Sequence, residues 1–470
     1  MHITIIGAGP GGYETAVEAA SKDIDVTIIS DGPVGGTCLN EGCIPTKTFC
    51  RNAELIENLR CADEFGISTA EVSFDFSKAM KRKEAVVSQL RSGVEFLLKK
   101  KRIRLISGKA SLKDSHTVTV TPADGGQPEE VTSDYIIIAT GSVPASLPIP
   151  GADLEGVINS TQLLSIDAVP PRLCIIGAGV IGLEFASVFR SFGSEVTVVE
   201  YCKDILPRFD TDLAKRLKQS LTKRGIKIET SAQVQEISSS DNGLTVKYMK
   251  KDKEFSAEAD KVLMAVGRRP AVGSLNLSDI GIESGPRGIV TDEDMRTNVP
   301  NIFAIGDIRG GMMLAHVATF EGKRALNAIL ADIEAGGEGK GKTVDKIDFG
   351  VIPAAVFTWP EAATVGLTEE DCAASNIKCR CLKSFFRANG KAVAMGEPDG
   401  YCKLIVSSPE NGNEFRDGQI LGCHLFGAHA SDIVQEIAAL MNCKASIDDL
   451  RSIIHAHPTL TEVLLCAANA

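Results

Sequence analysis

The chain has 470 residues, 44% hydrophobic and 24% charged, a balance that suits a globular protein with about three domains. Its formal net charge of −11 argues against nucleic acid or an anionic membrane as a general partner. No apolar run reaches the roughly 18 residues of a membrane span, and a strand-like start at His2-Ile3-Thr4-Ile5-Ile6 leaves no room for a targeting peptide. A cytoplasmic location is expected, or an organelle matrix for a processed chain.

In chain order, the opening strand runs into Gly7-Ala8-Gly9-Pro10-Gly11-Gly12, then a helical stretch and a second apolar strand through Val26-Thr27. Gly7, Gly9 and Gly12 have the G-x-G-x-x-G spacing of a dinucleotide-binding turn, where a helix N-terminus receives a pyrophosphate. The position after the second strand, where an acidic residue takes the ribose hydroxyls, is Ser30. Asp31 beside it is expected to do that work from a shifted position.

Next comes Gly35-Gly36-Thr37-Cys38-Leu39-Asn40-Glu41-Gly42-Cys43-Ile44-Pro45-Thr46-Lys47. Five residues of regular helix rise about 7.5 Å along the axis, whereas a disulfide wants its Cα atoms roughly 4.4–6.8 Å apart. If Cys38 and Cys43 are bonded, the stretch departs from a regular helix, and Gly42 is the residue that permits it. A strained bond of that kind is a reducible one, so the pair reads as a working redox couple beside a cofactor. The other eleven of thirteen cysteines show no framework spacing and read as ordinary thiols. Cys379-Arg380-Cys381 is too tight for a zinc half-site, and no metal is expected.

The stretch from Gln127 to Ser133 reads as a polar hairpin tip, and the apolar strand 135–138 ends in Ala139-Thr140-Gly141. Ser142 to Gly151 is the crossing into a second domain. There the opening unit recurs at an offset of 170: Gly177, Gly179 and Gly182 repeat the glycines, Glu184 matches Glu14, and Val196-Thr197 matches Val26-Thr27. Two copies in the same strand–turn–helix–strand context predict two dinucleotide-binding βαβ units. Glu200 follows the second strand of the second copy, with no arginine in the next three positions. A carboxylate there accepts from a ribose 2′-hydroxyl and repels a 2′-phosphate, so NAD is expected rather than NADP. This unit closes on Val262-Leu263-Met264-Ala265-Val266-Gly267. Glycine-rich 336–342 reads as a flexible linker. The last domain, from Asp345, mixes short β-rich runs with helices at 431–441 and after Pro458. Pro458 suits the first helical position, putting His457 just before that helix and Glu462 in its opening turns.

These segments, with Val266-Gly267-Arg268-Arg269-Pro270, Thr297 to Asp307, Met313-Leu314-Ala315-His316 and His455-Ala456-His457-Pro458-Thr459-Leu460-Thr461-Glu462, resemble the dihydrolipoamide dehydrogenases, class I pyridine nucleotide-disulfide oxidoreductases. The resemblance covers nearly the whole chain. It implies an α/β fold with two Rossmann-like domains and a C-terminal α+β dimerisation domain. The boundaries are 1–145 for FAD, 146–271 for NAD, 272–344 completing the FAD domain, and 345–470 for dimerisation.

By the same resemblance FAD is held through Gly7, Gly9, Gly12, Asp31, Gly36, Thr37, Lys47, Ala110, Thr140, Gly141, Asp307, Met313, Leu314, Ala315 and His316. NAD falls to Gly177, Gly179, Gly182, Glu184, Glu200 and Gly267. Cys38 and Cys43 are the redox disulfide, Lys47 pairs with Glu184 near the flavin, and His457 with Glu462 is the acid–base pair, facing the partner subunit's disulfide in a homodimer. His424, His429 and His455 read as structural. The expected reaction is oxidation of protein-bound dihydrolipoamide by NAD⁺, with a lipoylated carrier of a 2-oxoacid dehydrogenase or glycine cleavage system as partner.

A glutathione-reductase-like role would call for an NADP clamp, and a mercuric- or thioredoxin-reductase-like role for a second cysteine pair in the tail, where only Cys466 lies past Glu462. A flavin-bearing scaffold is opposed by the cysteine pair and by His457 with Glu462. The chain departs from the family at three places: Ser30, Thr48-Phe49-Cys50, and the apolar Val463-Leu464-Leu465-Cys466.

Overall fold

A computed structural model describes residues 1–68, 72–411 and 415–470. The chain divides into two compact units, one of residues 1–48, 77–145 and 267–347, the other of residues 49–76, 146–266 and 348–470.

In the first unit, His2–Ile6, Asp25–Ser30, Tyr135–Ile138 and Ile302–Ala304 are short and almost wholly buried, as strands covered on both faces must be. They pair in parallel, with Ile3 opposite Val26 on one side and Tyr135 on the other. The spatial order is Ile302–Ala304, Tyr135–Ile138, His2–Ile6, Asp25–Ser30, Arg104–Leu112, then Thr117–Pro122 and Glu129–Thr132 as an antiparallel extension. The strand Ile302–Ala304 returns from far along the chain, so residues beyond 267 complete the sheet begun at residue 2. Ile6, Ile29, Ile136, Ile138, Ile302 and Ile308 share its core. The helices Pro10–Ala20 and Ala315–Glu334 pack through small residues: a Cβ on Gly322 would stand 1.8 Å from Thr15 Oγ1.

Two sequence expectations need correction here. Glu129–Thr132 is a strand rather than part of a hairpin tip, because Val131 is buried and opposes Val118. The glycine-rich run after residue 335 is tethered: the amides of Gly339 and Gly341 each donate to the buried Asp332 carboxylate at 2.9 Å.

The second unit holds a parallel sheet in the order Lys227–Glu229, Glu195–Val199, Arg172–Ile176, Lys261–Met264, Val157–Ile158. A three-stranded antiparallel sheet, Gln233–Ser240, Gly243–Lys250 and Lys253–Ala259, shares its core through Cys174, Ile176, Val246 and Val262. A separate antiparallel sheet runs Ala354–Val356, Glu361–Gly366, Ile420–Gly427, Tyr401–Ser407, Cys379–Phe385. Its two strands Tyr401–Ser407 and Ile420–Gly427 are buried at every residue. The helices Ala430–Asn442 and Glu462–Ala468 join its core. The apolar tail thereby finds its reason, since Val463, Leu464, Ala467 and Ala468 are core residues. Phe49 likewise is fully buried, with its ring 5.9 Å from that of Phe76 and 5.8 Å from that of Phe192. No helix among the described residues is long and apolar enough to cross a membrane.

Candidate active site

The strand His2–Ile6 delivers the chain to Gly7 at φ +114°, a conformation that costs glycine little. A Cβ on Gly7 would lie 2.2 Å from the Ala139 carbonyl oxygen, and one on Gly12 would lie 2.0 Å from that of Gly7. A Cβ on Gly9 would meet nothing within 4 Å. Gly7 therefore makes the turn, Gly12 lets the helix lie against the strand, and Gly9 borders open space at the helix start. No side chain caps that helix, and no acidic residue sits in its first turn, so its free N–H groups remain for an anion.

The second copy repeats each feature. Gly177 has φ +105° and a Cβ there would lie 2.4 Å from the Ala265 oxygen; one on Gly182 would lie 2.0 Å from the Gly177 oxygen; Gly179 borders open space. The helix Val180–Phe192 is also uncapped and free of acid in its first turn. Both cradles are crowded where backbone packs and open where a pyrophosphate would lie, so the residues present fit two dinucleotides.

The two units differ after their second strands. Ser30 Oγ donates to the Gly32 carbonyl at 2.9 Å, and Asp31 beside it is exposed. Glu200 is buried, and its carboxylate accepts from the Ala178 N–H and the Cys202 N–H, each at 2.6 Å. Glu200 thus also pins the second glycine loop, a role no spacing rule signalled.

The other residues expected at the flavin lie in the first unit. A Cβ on Gly36 would lie 2.7 Å from Gly9 Cα. Ala110 is buried, opposite Val120 in the ladder of Arg104–Leu112 with Thr117–Pro122. Thr140 Oγ1 donates to the Ala271 carbonyl at 3.1 Å, and Gly141 has φ +72°. Asp307 sits in the short 3₁₀ turn Gly306–Arg309, and Met313 and Leu314 lead into the helix Ala315–Glu334, with His316 exposed in its first turn.

Sequence reading missed what holds Asp307. Its Oδ2 accepts from Ser142 Oγ at 2.5 Å, and Ser142 Oγ accepts from Arg268 Nε at 2.7 Å. Arg268 Nη2 also donates to the Ser142 carbonyl at 2.7 Å and reaches Thr37 Oγ1 at 3.5 Å. Burial lowers the Arg268 pKa, while the charges of Asp307, Glu41 and Cys43 act the other way. Arg268 therefore ties Asp307 to the residue preceding Cys38.

The cysteines lie where one helix breaks into another. Gly36–Glu41 ends at Gly42, with φ −144° and ψ −104°, and Cys43–Arg60 begins at once. The expected departure at Gly42 is present, and a Cβ there would stand 3.0 Å from the Thr37 carbonyl oxygen. Cys38 and Cys43 are half-buried thiols in hydrogen-bond contact. The Cys38 thiol is pushed well above the ordinary range, first by its hydrogen bond to Cys43 and then by burial, while Lys47 acts in the opposite sense. Tyr13 approaches from the first helix, its phenol raised by burial, by Glu14 and by Cys38.

In the second unit Glu184 is buried and its Oε1 accepts from the Phe357 N–H at 3.0 Å. Gly267, at φ +113°, belongs by its contacts to the first unit.

His457 Nδ1 lies 3.0 Å from Glu462 Oε1, with the imidazole 79% exposed. Glu462 Oε2 accepts from the Thr459 N–H at 2.8 Å. That amide first, then His457, holds the Glu462 carboxyl below its usual range. The helix here starts later than expected: it spans Glu462–Ala468, so Pro458 stands outside it, after a cis His457–Pro458 bond. The side chain of Glu462 folds back onto the Thr459 amide and closes residues 459–461 as a loop. His424 is fully buried between Thr364 Oγ1 and the Leu367 carbonyl, and His455 Nε2 lies 2.9 Å from Glu436. Among the described residues no His, Cys, Asp and Glu cluster could hold a metal ion.

Residues 1–322 match the pyridine nucleotide-disulphide oxidoreductase family, and residues 352–468 match the dimerisation domain of that family. A dihydrolipoyl dehydrogenase from Bacillus subtilis is 39% identical over 467 residues, covering 99% of this chain and 95% of that one. One from Geobacillus stearothermophilus is 38% identical over 466 residues with the same coverage. Among solved structures, the HOCl-induced flavoprotein disulfide reductase RclA from Escherichia coli, as its Cu(II) complex, superposes with a TM-score of 0.84 at 31% identity, covering 100% of this chain and 98% of that one. The protein is an oxidoreductase with FAD and NAD as the cofactors of its fold, and its C-terminal part forms a homodimer. By sequence and architecture the chain belongs to the pyridine nucleotide-disulphide oxidoreductase family.

Proposed function

We propose that the protein oxidises the dihydrolipoyl group of a lipoylated carrier protein to its disulfide, with NAD⁺ as final acceptor. The observation that carries the reading is the Cys38–Cys43 contact at the break between two helices. It sits in the unit whose glycine cradle fits FAD. The segments 1–145 and 272–344 bind FAD, 146–271 bind NAD and 345–470 form the dimer interface. Solubility in the cytoplasm goes with this assignment.

In the resting enzyme Cys38 and Cys43 are joined as a disulfide. Glu462 accepts from Nδ1 of His457 and so leaves Nε2 free to take a proton. A dihydrolipoyl thiol gives its proton to His457 of the partner subunit, and the resulting thiolate attacks the Cys38 sulfur, displacing Cys43 as a thiolate. The second substrate thiol then attacks the lipoyl sulfur bound to Cys38 and closes the lipoyl ring. Its proton passes to the departing Cys38 sulfur, while the first proton stays on His457 and Cys43 remains a thiolate. Cys38 as a thiol and Cys43 as a thiolate make up the reduced dithiol pair. The bound cofactors supply the onward transfer of the electron pair from this dithiol to NAD⁺.

Lys47, whose charge acts on Cys38, orients the flavin side of the site. Asp307, held through Ser142 and Arg268, takes the ribityl hydroxyls. Asp31 and Glu200 take the two riboses. Comparing NAD⁺-linked oxidation of dihydrolipoamide with NADH-linked reduction of glutathione disulfide and of mercuric ion tests the assignment. Dihydrolipoamide should be the preferred substrate; faster turnover of either alternative would overturn it.

A further inference from the structure

Cys379 and Cys381 are alternate residues of the strand Cys379–Phe385, so their side chains share one face of the sheet. The short helix Glu369–Ala374 precedes this strand, and its Cys372 is fully buried. The chain returns tightly between them, with the Ile377 N–H donating to the Cys372 carbonyl at 2.8 Å. This return packs Cys372, Cys379 and Cys381 into one cluster, with the Cys372 and Cys379 thiols as neighbours. Ile405 and Leu421 back the cluster with apolar surface, while Cys379 and Cys381 remain half-buried and so reachable from solvent. Among the described residues no group of three or more His, Cys, Asp or Glu could hold a metal ion.

We propose that Cys372 and Cys379 form a second, reversible disulfide, separate from Cys38–Cys43, by exchange with a low-molecular-weight disulfide. Cys379, the member open to solvent, loses its proton and attacks the small disulfide; one small thiol leaves and a mixed disulfide remains on Cys379. The Cys372 thiol then loses its proton and attacks the Cys379 sulfur, closing the protein disulfide and releasing the second small thiol. Two protein thiols are oxidised, and one small disulfide is reduced to two thiols. The order of attack follows from access. Burial pushes the Cys372 thiol up to about 12, which makes it a poor first nucleophile but no obstacle to an intramolecular second step. Cys402 and Cys423 provide the contrast: they are also in contact, yet both are fully buried and offer no entry.

The FAD-loaded dimer is incubated with glutathione disulfide, quenched with an alkylating agent, digested with trypsin without reduction and read by mass spectrometry. Cleavage after Lys378 and Arg380 releases Cys372 and Cys379 on separate peptides, so a bond between them appears as one linked species. It should account for most of the Cys372 signal and vanish on reduction. In Cys372→Ser the linked species should be lost and a glutathione adduct should stay on Cys379. Alkylated Cys372 and Cys379 in a wild-type sample whose Cys38–Cys43 pair is bridged would overturn the proposal, as would a Cys379–Cys381 bond. The wild-type digest alone decides if the variant fails to fold.

Discussion

His457 Nδ1 and Glu462 Oε1 stand 3.0 Å apart, and the other Glu462 oxygen is held by the Thr459 N–H at 2.8 Å. One carboxylate thus fixes both the imidazole and the loop that carries it. Replacing His457 with Gln should lower dihydrolipoamide turnover by about 10²- to 10⁴-fold, the usual worth of a general acid–base group.

Glu462→Gln keeps the shape but loses the carboxylate that holds both the His457 ring and the Thr459 N–H. Its turnover should fall less than that of His457→Gln. Steady-state rates of the two variants check both statements; an equal loss in each would contradict the ranking.

The two glycine cradles allow the cofactors to be separated. Gly177→Ala would force a left-handed conformation on alanine and set its Cβ about 2.4 Å from the Ala265 oxygen. Such strain costs about 1–3 kcal/mol. NAD⁺ affinity should drop while FAD absorbance stays at full occupancy. Gly7→Ala should do the reverse damage and yield protein depleted of FAD. Calorimetric titration with NAD⁺ and the flavin-to-protein absorbance ratio distinguish the two.

Lys403 is buried with its Nζ 2.8 Å from Asp210 and 2.6 Å from Glu369. Asp210 is itself fully buried and caps the helix Thr211–Lys223 through the Leu213 N–H at 3.1 Å. Lys403→Met leaves that carboxylate without its cation, a loss of about 3–5 kcal/mol at neutral pH.

The pH dependence of the Lys403 cluster has a definite sign. Lys403 holds Glu369 below the carboxylate range, and Lys383 first, with Lys403, does the same for Asp212. Depressed carboxylates contribute stability above their unfolded pKa values of roughly 4 and lose it as pH falls through the folded values. Lys403 itself is raised, so its share is complete below the ordinary lysine range and fades only in strong alkali. Urea unfolding should therefore show a smaller gap between wild type and Lys403→Met in acid than at pH 7. An equal gap at both would rule out the ionic origin.

Much of this architecture was legible because it is periodic or repeated. Gly7, Gly9 and Gly12 recur at Gly177, Gly179 and Gly182, and in both copies backbone crowding and open space fall on corresponding glycines. The break at Gly42 was legible because a five-residue spacing conflicts with helical rise. The Arg268–Ser142–Asp307 chain was hidden, since it joins residues 126 and 165 positions apart with no shared pattern. The tether of Gly339 and Gly341 to Asp332 was hidden for a related reason: composition reads as a linker, and one buried carboxylate overrides it. The late start of the last helix at Glu462 came from a side chain serving its own loop, which propensity does not report.

The central claim is that Cys38 and Cys43 carry the electron pair from the dithiol to the cofactors. It is tested most directly by NADH formation from dihydrolipoamide and NAD⁺ in FAD-loaded wild type, Cys38→Ser and Cys43→Ser. The prediction is turnover in wild type, background rates in both variants, and unchanged flavin content in all three. Wild-type-like NADH formation by a flavin-loaded Cys43→Ser enzyme would contradict it.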